Sequence, residues 1–406
     1  MKKSQIALAA ALALGSGRIA LAQVPNEFIQ TNLVASNASY DPQIVNPDLE
    51  DSWGIALRPP GAGGHIWIDN AFNGTASEYQ GDVNGVPLHQ DPLTSVSLDA
   101  PAFTDRGTPF VTGLAYDAAS DLAGQAEEFP VMGPATDLDT GQDLGTVSNP
   151  NYLQLGDVAN PVFSGVAITD NPVTQSQVGT AAGNHIFTAD FRNNQINVFN
   201  DQWQNVTSNF NFQTPTNLVS TTGAPLHIFN IQDLGGNLYA TYAAFNPNGD
   251  EGFEEIDQNG DGAVVEYSET GKLIQEFHDS TNPADELDAP WGMALAPAGF
   301  GPFGGDLLVT NFGDNGTISV FNPSDGDYLG KLDGVDGNPI SIDGIWGLTF
   351  GNGVSLGDAN SLYFTAGPNN EFDGLVGKLT FVPEPTSLGF IALGGVALMR
   401  RRRAKA

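Results

Sequence analysis

Cysteine is absent from the 406-residue chain, and basic residues are few. The lack of cysteine excludes disulfide bonds, thiolate nucleophiles and Cys-ligated zinc or iron–sulfur centres. The 47 acidic residues outnumber the 14 basic ones and give a formal net charge of −33. This charge argues against nucleic-acid binding, because phosphate recognition requires clustered Lys and Arg. The segment 23–385 holds all 47 acidic residues and six basic ones, so its net charge is −41.

Motifs of the common catalytic classes are also missing. The sequence has no G-x-S-x-G elbow, no H-E-x-x-H zinc motif and no G-x-x-x-x-G-K phosphate loop. Two of its five histidines, His65 and His185, hold equivalent places in the repeats described below, which favours a strand-edge role over a metal site. Glycine and proline are abundant, with 49 and 26 residues beside 40% hydrophobic residues. This composition is typical of a turn-rich β protein with a buried core.

The N-terminus has the three parts of a secretory signal peptide. It starts with two lysines, continues with an apolar run over residues 6–14, and reaches the small-x-small site formed by Ala20 and Ala22 before Gln23. The alternative is a membrane anchor, but the apolar run is far shorter than the roughly 20 residues that a spanning helix needs. We therefore predict export, with cleavage after Ala22.

The C-terminus combines a tripeptide, an apolar segment and a basic cluster. Residues 386–399 are largely apolar and are followed by four arginines; they are short for a spanning helix, and a buried core helix is the alternative. The arginines favour a short transmembrane helix, because a basic cluster after an apolar run stays on the cytoplasmic side. The residues concerned are Pro383, Glu384, Pro385, Arg400, Arg401, Arg402 and Arg403.

This arrangement closely resembles the PEP-CTERM sorting signal, which covers about 25 residues here. The resemblance implies transient anchoring in the inner membrane, cleavage by an exosortase-type sorting peptidase, and release to the cell surface or extracellular matrix. Signal peptidase is the second processing partner that these ends imply. The chain thus divides into a signal peptide (1–22), a body (23–381) and a sorting segment (382–406).

One pattern recurs six times in the body, as a search for internal repeats reveals. An aromatic or small residue precedes a marker glycine, and then come apolar residues, a loop and a second apolar strand. The marker positions lie 52 to 65 residues apart, and asparagine replaces glycine at the fourth. They are Gly54, Gly113, Gly165, Asn230, Gly292 and Gly347.

Each marker starts a set of four candidate strands, as in the third repeat at 164–169, 185–190, 195–199 and 206–212. Four antiparallel strands per repeat around an axis is the blade of a β-propeller. Glycine at the marker suits the innermost strand, where backbones approach closely. We therefore predict an all-β, six-bladed β-propeller of four-stranded antiparallel blades over 23–381.

Two repeats depart from this pattern. The last repeat has three strands of its own, and we predict that the run 28–34 supplies its missing outer strand, because closing the ring removes an exposed edge. The alternative is a loose N-terminal arm. The second repeat shows a plausible strand only at 128–132 after its first, which leaves its blade doubtful or degenerate.

The string HIFTADFRNNQINVF at 185–199 resembles NHL-type repeats. The body from about Asn32 to Leu379 resembles a family of uncharacterised secreted bacterial proteins with a predicted propeller fold, most strongly over 289–314 and 342–371. The resemblance implies this fold and supplies no reaction.

The hexapeptide DQNGDG at 257–262 fits the D-x-N-x-D-G calcium loop, in which oxygen ligands at alternate positions surround a hard cation. It differs from an EF-hand in having serine at its twelfth position, and a strand rather than a helix follows it. The alternative is an acidic hairpin turn. We predict a structural calcium ion in an insertion of the fourth blade, with ligands drawn from Asp257, Asn259, Asp261, Ala263, Glu266 and Glu269.

Three tryptophans, Trp53, Trp291 and Trp346, hold equivalent places on the inner strands. Packing between blades is one interpretation of them; a ligand-stacking site at the channel mouth, formed with Asn230, is the other. No catalytic constellation assembles around them.

Three functions fit these observations. The first is an exported binding or scaffold protein of the cell surface or matrix, whose partners are extracellular polysaccharide or surface proteins. The second is a calcium-dependent lactonase or esterase, as in gluconolactonase-type propellers, although Asn230 is the sole polar residue at a marker position. The third is a repeat scaffold for protein partners. Fold alone does not choose among them.

Overall fold

The computed structural model places two units in the chain: Met1–Pro25 with Glu384–Ala406, and Asn26–Pro383. The first unit lies outside the described residues, and so do the predicted signal peptide and the segment 386–399. No helix among the described residues is long and apolar enough to cross a membrane. The structure describes residues 26–383 except 62, 91, 93, 98–112, 116–130, 133–135, 138–141, 144–147, 150–151, 154–160, 170–184, 201–203, 214, 216–217, 221–222, 247–253, 256–260, 278–286 and 314.

The regular structure of the described residues is almost entirely β. Three short 3-10 helices occupy Ala38–Tyr40, Thr207–Asn209 and Gly301–Phe303. The strands in chain order are β1 (Glu27–Ala35), β2 (Ile44–Val45), β3 (Ser52–Leu57), β4 (Ile66–Asn70), β5 (Thr75–Tyr79), β6 (Ser95–Ser97), β7 (Gly113–Leu114), β8 (Val131–Met132), β9 (Thr136–Asp137), β10 (Gln142–Asp143), β11 (Ser148–Asn149), β12 (Tyr152–Leu153), β13 (Phe163–Thr169), β14 (His185–Asp190), β15 (Gln195–Asn200), β16 (Leu226–Leu234), β17 (Asn237–Asn246), β18 (Glu254–Glu255), β19 (Gly262–Tyr267), β20 (Leu273–Phe277), β21 (Pro290–Leu295), β22 (Leu307–Asn311), β23 (Ile318–Phe321), β24 (Tyr328–Lys331), β25 (Asp333–Gly334), β26 (Ile345–Phe350), β27 (Ser361–Ala366) and β28 (Leu375–Phe381).

Five sheets of three or more strands form the blades of a β-propeller. We name each blade by its repeat: blade 1 is β3-β4-β5-β6, blade 3 is β13-β14-β15, and blade 4 is β16-β17-β19-β20. Blade 5 is β21-β22-β23-β24, and blade 6 is β26-β27-β28-β1. Neighbouring strands within these blades are antiparallel.

The inner strands contact one another in a closed order around the axis. β3 touches β26, which touches β21, then β16, then β13. The short strand β7 of the second repeat lies against both β13 and β3 and completes this order. The fold is therefore a propeller in which inner strands surround a common axis.

The prediction of six blades is wrong in its count. Among the described residues the second repeat contributes three two-stranded ladders, β7–β8, β9–β10 and β11–β12, and no sheet of three or more strands, so five blades are present. The predicted strand at 206–212 is also absent from blade 3. The 3-10 helix Thr207–Asn209 stands there instead, because Phe210 and the residues around it turn into the core between blades 3 and 4.

The prediction for the N-terminal strand is confirmed. β1 pairs antiparallel with β28 from Phe28↔Phe381 to Ala35↔Leu375, with a register shift between Asn32 and Val34. Phe28 is 1% exposed and packs on Phe300, with ring centroids 4.7 Å apart. Residues from the two ends of the body therefore share one blade and close the ring.

The hydrophobic core consists mainly of separate clusters between neighbouring blades. One cluster joins blades 3 and 4, another blades 4 and 5, another blades 5 and 6, and another blades 6 and 1. A further cluster, built from aromatic residues at the starts of the inner strands, lies on the axis. This axial cluster positions the candidate site.

Candidate functional site

A cavity of about 390 Å³ lies on the propeller axis inside the inner strands. Its wall is built by the residues that follow the marker position on β3, β13, β16, β21 and β26, together with Ala115 after β7. Most of these residues are aliphatic or glycine. Representative members of the wall are Ile55, Leu57, Ile168, Leu234, Leu295 and Phe350.

One end of this channel is filled by a group of rings that we name the aromatic floor: Trp53, Phe229, Trp291, Phe312 and Trp346. Trp53 and Trp346 are stacked with centroids 3.8 Å apart, and Phe312 stacks on Trp346 at 4.2 Å. Trp291 stands edge-on to both, at 5.7 and 6.0 Å. The three tryptophans are at most 4% exposed, so the structure brings them together as a packed layer.

Buried acceptors satisfy the indole N–H groups of the floor. The Asp51 carboxylate accepts from Trp53 Nε1 at 2.7 Å and from Trp346 Nε1 at 3.2 Å. Trp291 Nε1 donates to the Ser164 carbonyl at 2.8 Å. Asp51 is fully buried just before β3. Because buried indole donors need partners, this carboxylate fixes two rings of the floor from one side.

Side chains at the marker level bond each inner strand to the next blade. In blade 5, Thr310 Oγ1 accepts from the Gly292 N–H at 2.7 Å and donates to the next blade's carbonyl. In blade 6, Thr365 Oγ1 likewise accepts from the Gly347 N–H at 2.8 Å. The inter-blade bonds are Ser164 Oγ to Phe229 O (2.6 Å), Asn230 Nδ2 to Trp291 O (2.8 Å), Thr310 Oγ1 to Trp346 O (2.9 Å) and Thr365 Oγ1 to Trp53 O (2.5 Å).

Close approach of neighbouring inner strands explains the marker glycines. A Cβ atom at Gly292 would lie 2.2 Å from the Trp346 carbonyl oxygen, and one at Gly347 would lie 2.6 Å from the Trp53 oxygen. Both distances are well below van der Waals contact. A side chain at these positions would push the blades apart, as the sequence pattern predicts.

Blade 1 has a carboxylic acid where blades 5 and 6 have threonine. Asp69 on β4 stands opposite the marker Gly54 and accepts from its N–H. Its Oδ2 atom has no hydrogen-bond partner among the described residues, and the residue is fully buried. Burial raises the pKa of Asp69 to about 7 against the lowering effect of backbone donors. Asp69 is thus an acid that can hold its proton near neutral pH.

Among the described residues, three amide or carboxylate side chains line the channel, and all of them belong to β16. Asn230 donates to the Trp291 carbonyl and accepts from its own neighbour, Ile231 N–H. Gln232 Oε1 accepts from Met293 N–H at 2.8 Å, and Asp233 Oδ1 accepts from Gly236 N–H at 2.9 Å. These bonds leave the amide N–H groups of Gln232 available to a ligand in the channel.

The predicted calcium ligands fall partly outside the described residues, as Asp257 and Asn259 do. Asp261 is buried, and Ala263 pairs with Tyr242 in the β17–β19 ladder. Glu266 accepts from Asn237 Nδ2 at 2.7 Å, whereas Glu269 accepts from Thr169 Oγ1 of blade 3 at 2.5 Å. Within the described part of the chain, no group of three His, Cys, Asp or Glu residues could hold a metal ion.

The remaining predicted residues lie at the ends of the chain. Pro383 is the last described residue and is exposed. Glu384, Pro385, the four arginines, and the predicted cleavage residues Ala20, Ala22 and Gln23 lie outside the described residues. The structure therefore describes the propeller and leaves the two processing sites as sequence predictions.

The sequence analysis did not single out Asp51, and the interpretation of Asp69 as a strand-end turn residue did not anticipate its buried bond to Gly54. A signal for Asp51 exists, since each of the three inner-strand tryptophans follows an aspartate by two or three residues: Asp51, Asp288 and Asp343. A signal for Asp69 exists as well, because the residue opposite the marker is Asp or Thr in four of the five blades. Those residues are Asp69, Thr241, Thr310 and Thr365, and Ala189 stands in blade 3.

The C-terminal residues 381–403 match the PEP-CTERM protein-sorting motif. This motif implies processing by an exosortase and membrane-associated sorting of an exported protein. The sequence-based identification of the sorting signal is confirmed.

Two uncharacterized proteins of Acanthamoeba polyphaga mimivirus are similar to the chain along most of its length. One is 29% identical over 357 residues, covering 86% of this chain and 79% of the viral protein. The other is 28% identical over 367 residues, covering 86% and 85%.

Solved structures are similar at low identity. An auxiliary nutrient binding protein from Bacteroides thetaiotaomicron has a TM-score of 0.45 and 9% identity, covering 82% of this chain and 69% of that one. BamB from Moraxella catarrhalis has a TM-score of 0.35 and 14% identity, covering 87% and 100%.

Proposed function

We propose that the protein is exported, sorted by an exosortase-type peptidase to the cell surface or extracellular matrix, and binds a small ligand in its central channel. The sorting motif at residues 381–403 supports the first part. The second part rests on one observation: a channel of about 390 Å³ that is filled at one end by the aromatic floor and lined along its wall by apolar residues. Mostly apolar concave sites with a few polar groups are typical of ligand binding.

The wall also indicates the charge of the ligand. Its described lining residues include a single charged side chain, Asp233, and no lysine or arginine. An anionic ligand would find no compensating positive charge there, and the body itself is strongly acidic. We therefore propose an uncharged, largely apolar ligand that receives a hydrogen bond from Gln232.

Binding is better supported than hydrolysis by the same geometry. A metal-dependent lactonase needs oxygen ligands that converge on one ion from several directions. The amide and carboxylate groups in this channel lie on the single strand β16, and Asn230 uses its side chain to join two blades. The channel is therefore proposed as a binding site, and the protein as a binding or scaffold protein rather than a hydrolase.

A variant that fills the channel tests this proposal. Ala56 lines the wall near the open end, so Ala56→Trp should occupy part of the cavity. Ile274→Trp is the matched control, because Ile274 is 48% exposed on the outer strand of blade 4. Purified protein would be equilibrated with spent growth medium and examined by native mass spectrometry. We expect a bound small molecule on the wild type and on Ile274→Trp, and none on Ala56→Trp.

 The proposal fails if nothing is retained by the wild type, or if Ala56→Trp retains the same molecule equally well.

We also propose a structural calcium ion in the loop between β17 and β19. The hexapeptide motif at 257–262 supports it, and the strand β19 that follows makes the loop an insertion of blade 4. A bound ion would raise the thermal unfolding midpoint, because a ligand of the folded state stabilises it. Melting with calcium and with a chelator tests this, with Asp257→Asn as the variant whose response to calcium should disappear. Equal midpoints with calcium and with chelator would count against the ion.

A further inference from the structure

A second cavity of about 390 Å³ lies between blades 3 and 4, away from the axis. It shares no lining residue with the central channel. Its volume falls within the usual range for small-molecule sites, about 300–1,000 Å³. We name it the inter-blade cleft and define it by Gln195, Phe210, Phe212, Gln213, Tyr242 and Tyr267.

Two buried tyrosine hydroxyls lie at the inner end of the inter-blade cleft. The Tyr242 and Tyr267 oxygens are 2.8 Å apart, and the residues are 6% and 1% exposed. Two hydroxyls carry two protons, and their mutual hydrogen bond uses one of them. Neither hydroxyl has another hydrogen bond within the described part of the chain, so one donor remains for a group inside the cleft. A buried donor without a partner is unfavourable.

The protonation state of the pair agrees with this role. Burial raises the pKa of Tyr242 to about 12, and burial also raises the pKa of Tyr267 above its ordinary value. Both side chains therefore stay neutral and keep their protons at physiological pH. The pair can donate one hydrogen bond and accept others, which is the pattern that matches a hydroxyl group on a ligand.

Phenylalanine rings form the apolar side of the cleft. Phe210 and Phe212 lie nearly parallel, with an interplanar angle of 18° and centroids 6.4 Å apart. Phe212 is partly exposed and meets Tyr267 edge-on at 5.5 Å. A ligand that enters the cleft therefore contacts aromatic surface before it reaches the hydroxyl pair.

Amide groups, rather than charges, stand at the cleft opening. Gln213 is exposed and uses its Oε1 atom to accept from Leu273 N–H, which leaves its NH₂ group available. Gln195 is exposed and donates to Asn197, which leaves its carbonyl oxygen available. None of the described lining residues is charged, although the body as a whole has a large negative charge.

We propose that the inter-blade cleft binds one sugar unit of a neutral saccharide. The apolar face of the sugar ring would lie on Phe212, and one of its hydroxyls would pair with Tyr242 and Tyr267. Other hydroxyls would bond the amides of Gln195 and Gln213. Aromatic surface combined with neutral donors and acceptors suits a ligand that is polar at its edge and apolar on its face, and the lack of lysine and arginine disfavours an acidic sugar.

The binding of maltose, cellobiose and lactose tests this proposal, with glucuronic acid as the charged comparison. Saturation-transfer NMR identifies the sugars that bind to the exported protein, and calorimetry gives their Kd values. We expect at least one neutral disaccharide to bind with a millimolar or tighter Kd. Tyr267→Phe should weaken that binding about tenfold, since a lost buried hydrogen bond is of that order. Gln213→Ala, at an exposed position, should weaken it by a smaller factor.

Two control variants distinguish sugar binding in the inter-blade cleft from effects on folding and from binding in the central channel. Tyr79→Phe removes another buried tyrosine hydroxyl, in blade 1, and should leave sugar binding unchanged. Ala56→Trp fills the channel and should also leave it unchanged, so the two sites can fail independently. The proposal is overturned if no neutral disaccharide binds, if glucuronic acid binds equally well, or if folded Tyr267→Phe and Gln213→Ala both bind like the wild type.

Discussion

Replacing Asp69 by asparagine should stabilise the protein at neutral pH. Asp69 is fully buried, accepts from the Gly54 N–H and leaves its second carboxyl oxygen without a partner in the described residues. Asparagine has the same shape, so its oxygen can keep the bond to Gly54. Its amide takes the place of the second carboxyl oxygen, and we expect it to donate to the next inner strand, as Thr310 and Thr365 do from the equivalent positions of blades 5 and 6. The substitution therefore removes a charge without opening a cavity.

The magnitude follows from the pKa of Asp69, which burial raises to about 7. An unfolded chain has an aspartate pKa of about 3.9, so the difference of about 3 units corresponds to about 4 kcal/mol. Because the folded-state pKa is the higher one, the folded protein keeps this proton between about pH 4 and pH 7 after the unfolded chain has lost it. The proton on Asp69 therefore stabilises the folded protein fully below about pH 4. This contribution to the free energy of unfolding declines between about pH 4 and pH 7 and is absent above pH 7.

The assay is urea unfolding of wild type and Asp69→Asn at a series of pH values. The free energy difference between them should be near zero at about pH 4 and reach about 4 kcal/mol in favour of the variant above pH 7. Burial also raises the pKa of Asp190, but that contribution is common to both proteins and cancels. Asp41→Asn, at an exposed turn, is the control for removing an aspartate carboxylate outside the core. A constant difference for Asp69→Asn would refute a raised pKa at this site.

Two further predictions concern the bonds that hold the ring together. Thr365→Val should reduce the free energy of unfolding by about 1–3 kcal/mol, because it leaves the buried Gly347 N–H and Trp53 carbonyl without their shared partner. Thr365→Ser keeps the hydroxyl and should retain most of the stability. Equal urea midpoints for the two variants would contradict a stabilising role of these hydrogen bonds. Phe28→Ala should cost about 3–5 kcal/mol by removing a buried ring from the closing strand. Ile29→Ala, at a 48% exposed neighbour, should cost little, and a similar loss in both variants would argue against this packing role.

The sequence predicted the fold well where the repeat pattern was complete. The strand at 185–190 has the predicted bounds, and the predicted strands at 164–169 and 195–199 differ from β13 and β15 by one residue each, because each strand alternates between the two faces of a blade and ends at a turn. The segment 206–212 also has apolar residues and was predicted as a strand. Its phenylalanines are instead held in the core between two blades by a 3-10 turn, and an apolar run of that length fits either structure.

The candidate site was predictable in position but not in detail. The marker pattern placed Trp53, Trp291 and Trp346 on inner strands, and the structure brings them together at the axis. Two of the three indole pairings were not predictable, because Trp346 meets Asp51 and Trp291 meets Ser164 from distant parts of the chain; only the pairing of Trp53 with Asp51 is local. The two distant pairings form only when the blades close into a ring, and the strand pattern of the sequence does not specify them.

The asymmetry of the channel follows from the same repeat. The marker is the third residue of β3, β13, β21 and β26 and the middle residue of β16. Aromatic residues that directly precede it gather at one end and form the aromatic floor. The residues after it form the wall, and there the blades differ: β16 contributes Asn230, Gln232 and Asp233, whereas the facing strands contribute mainly aliphatic residues. A ligand of the proposed kind would meet a hydrogen-bonding side and an apolar side in this channel. Blade 4 would then orient it, so we expect substitution of Gln232 to change the choice of ligand most.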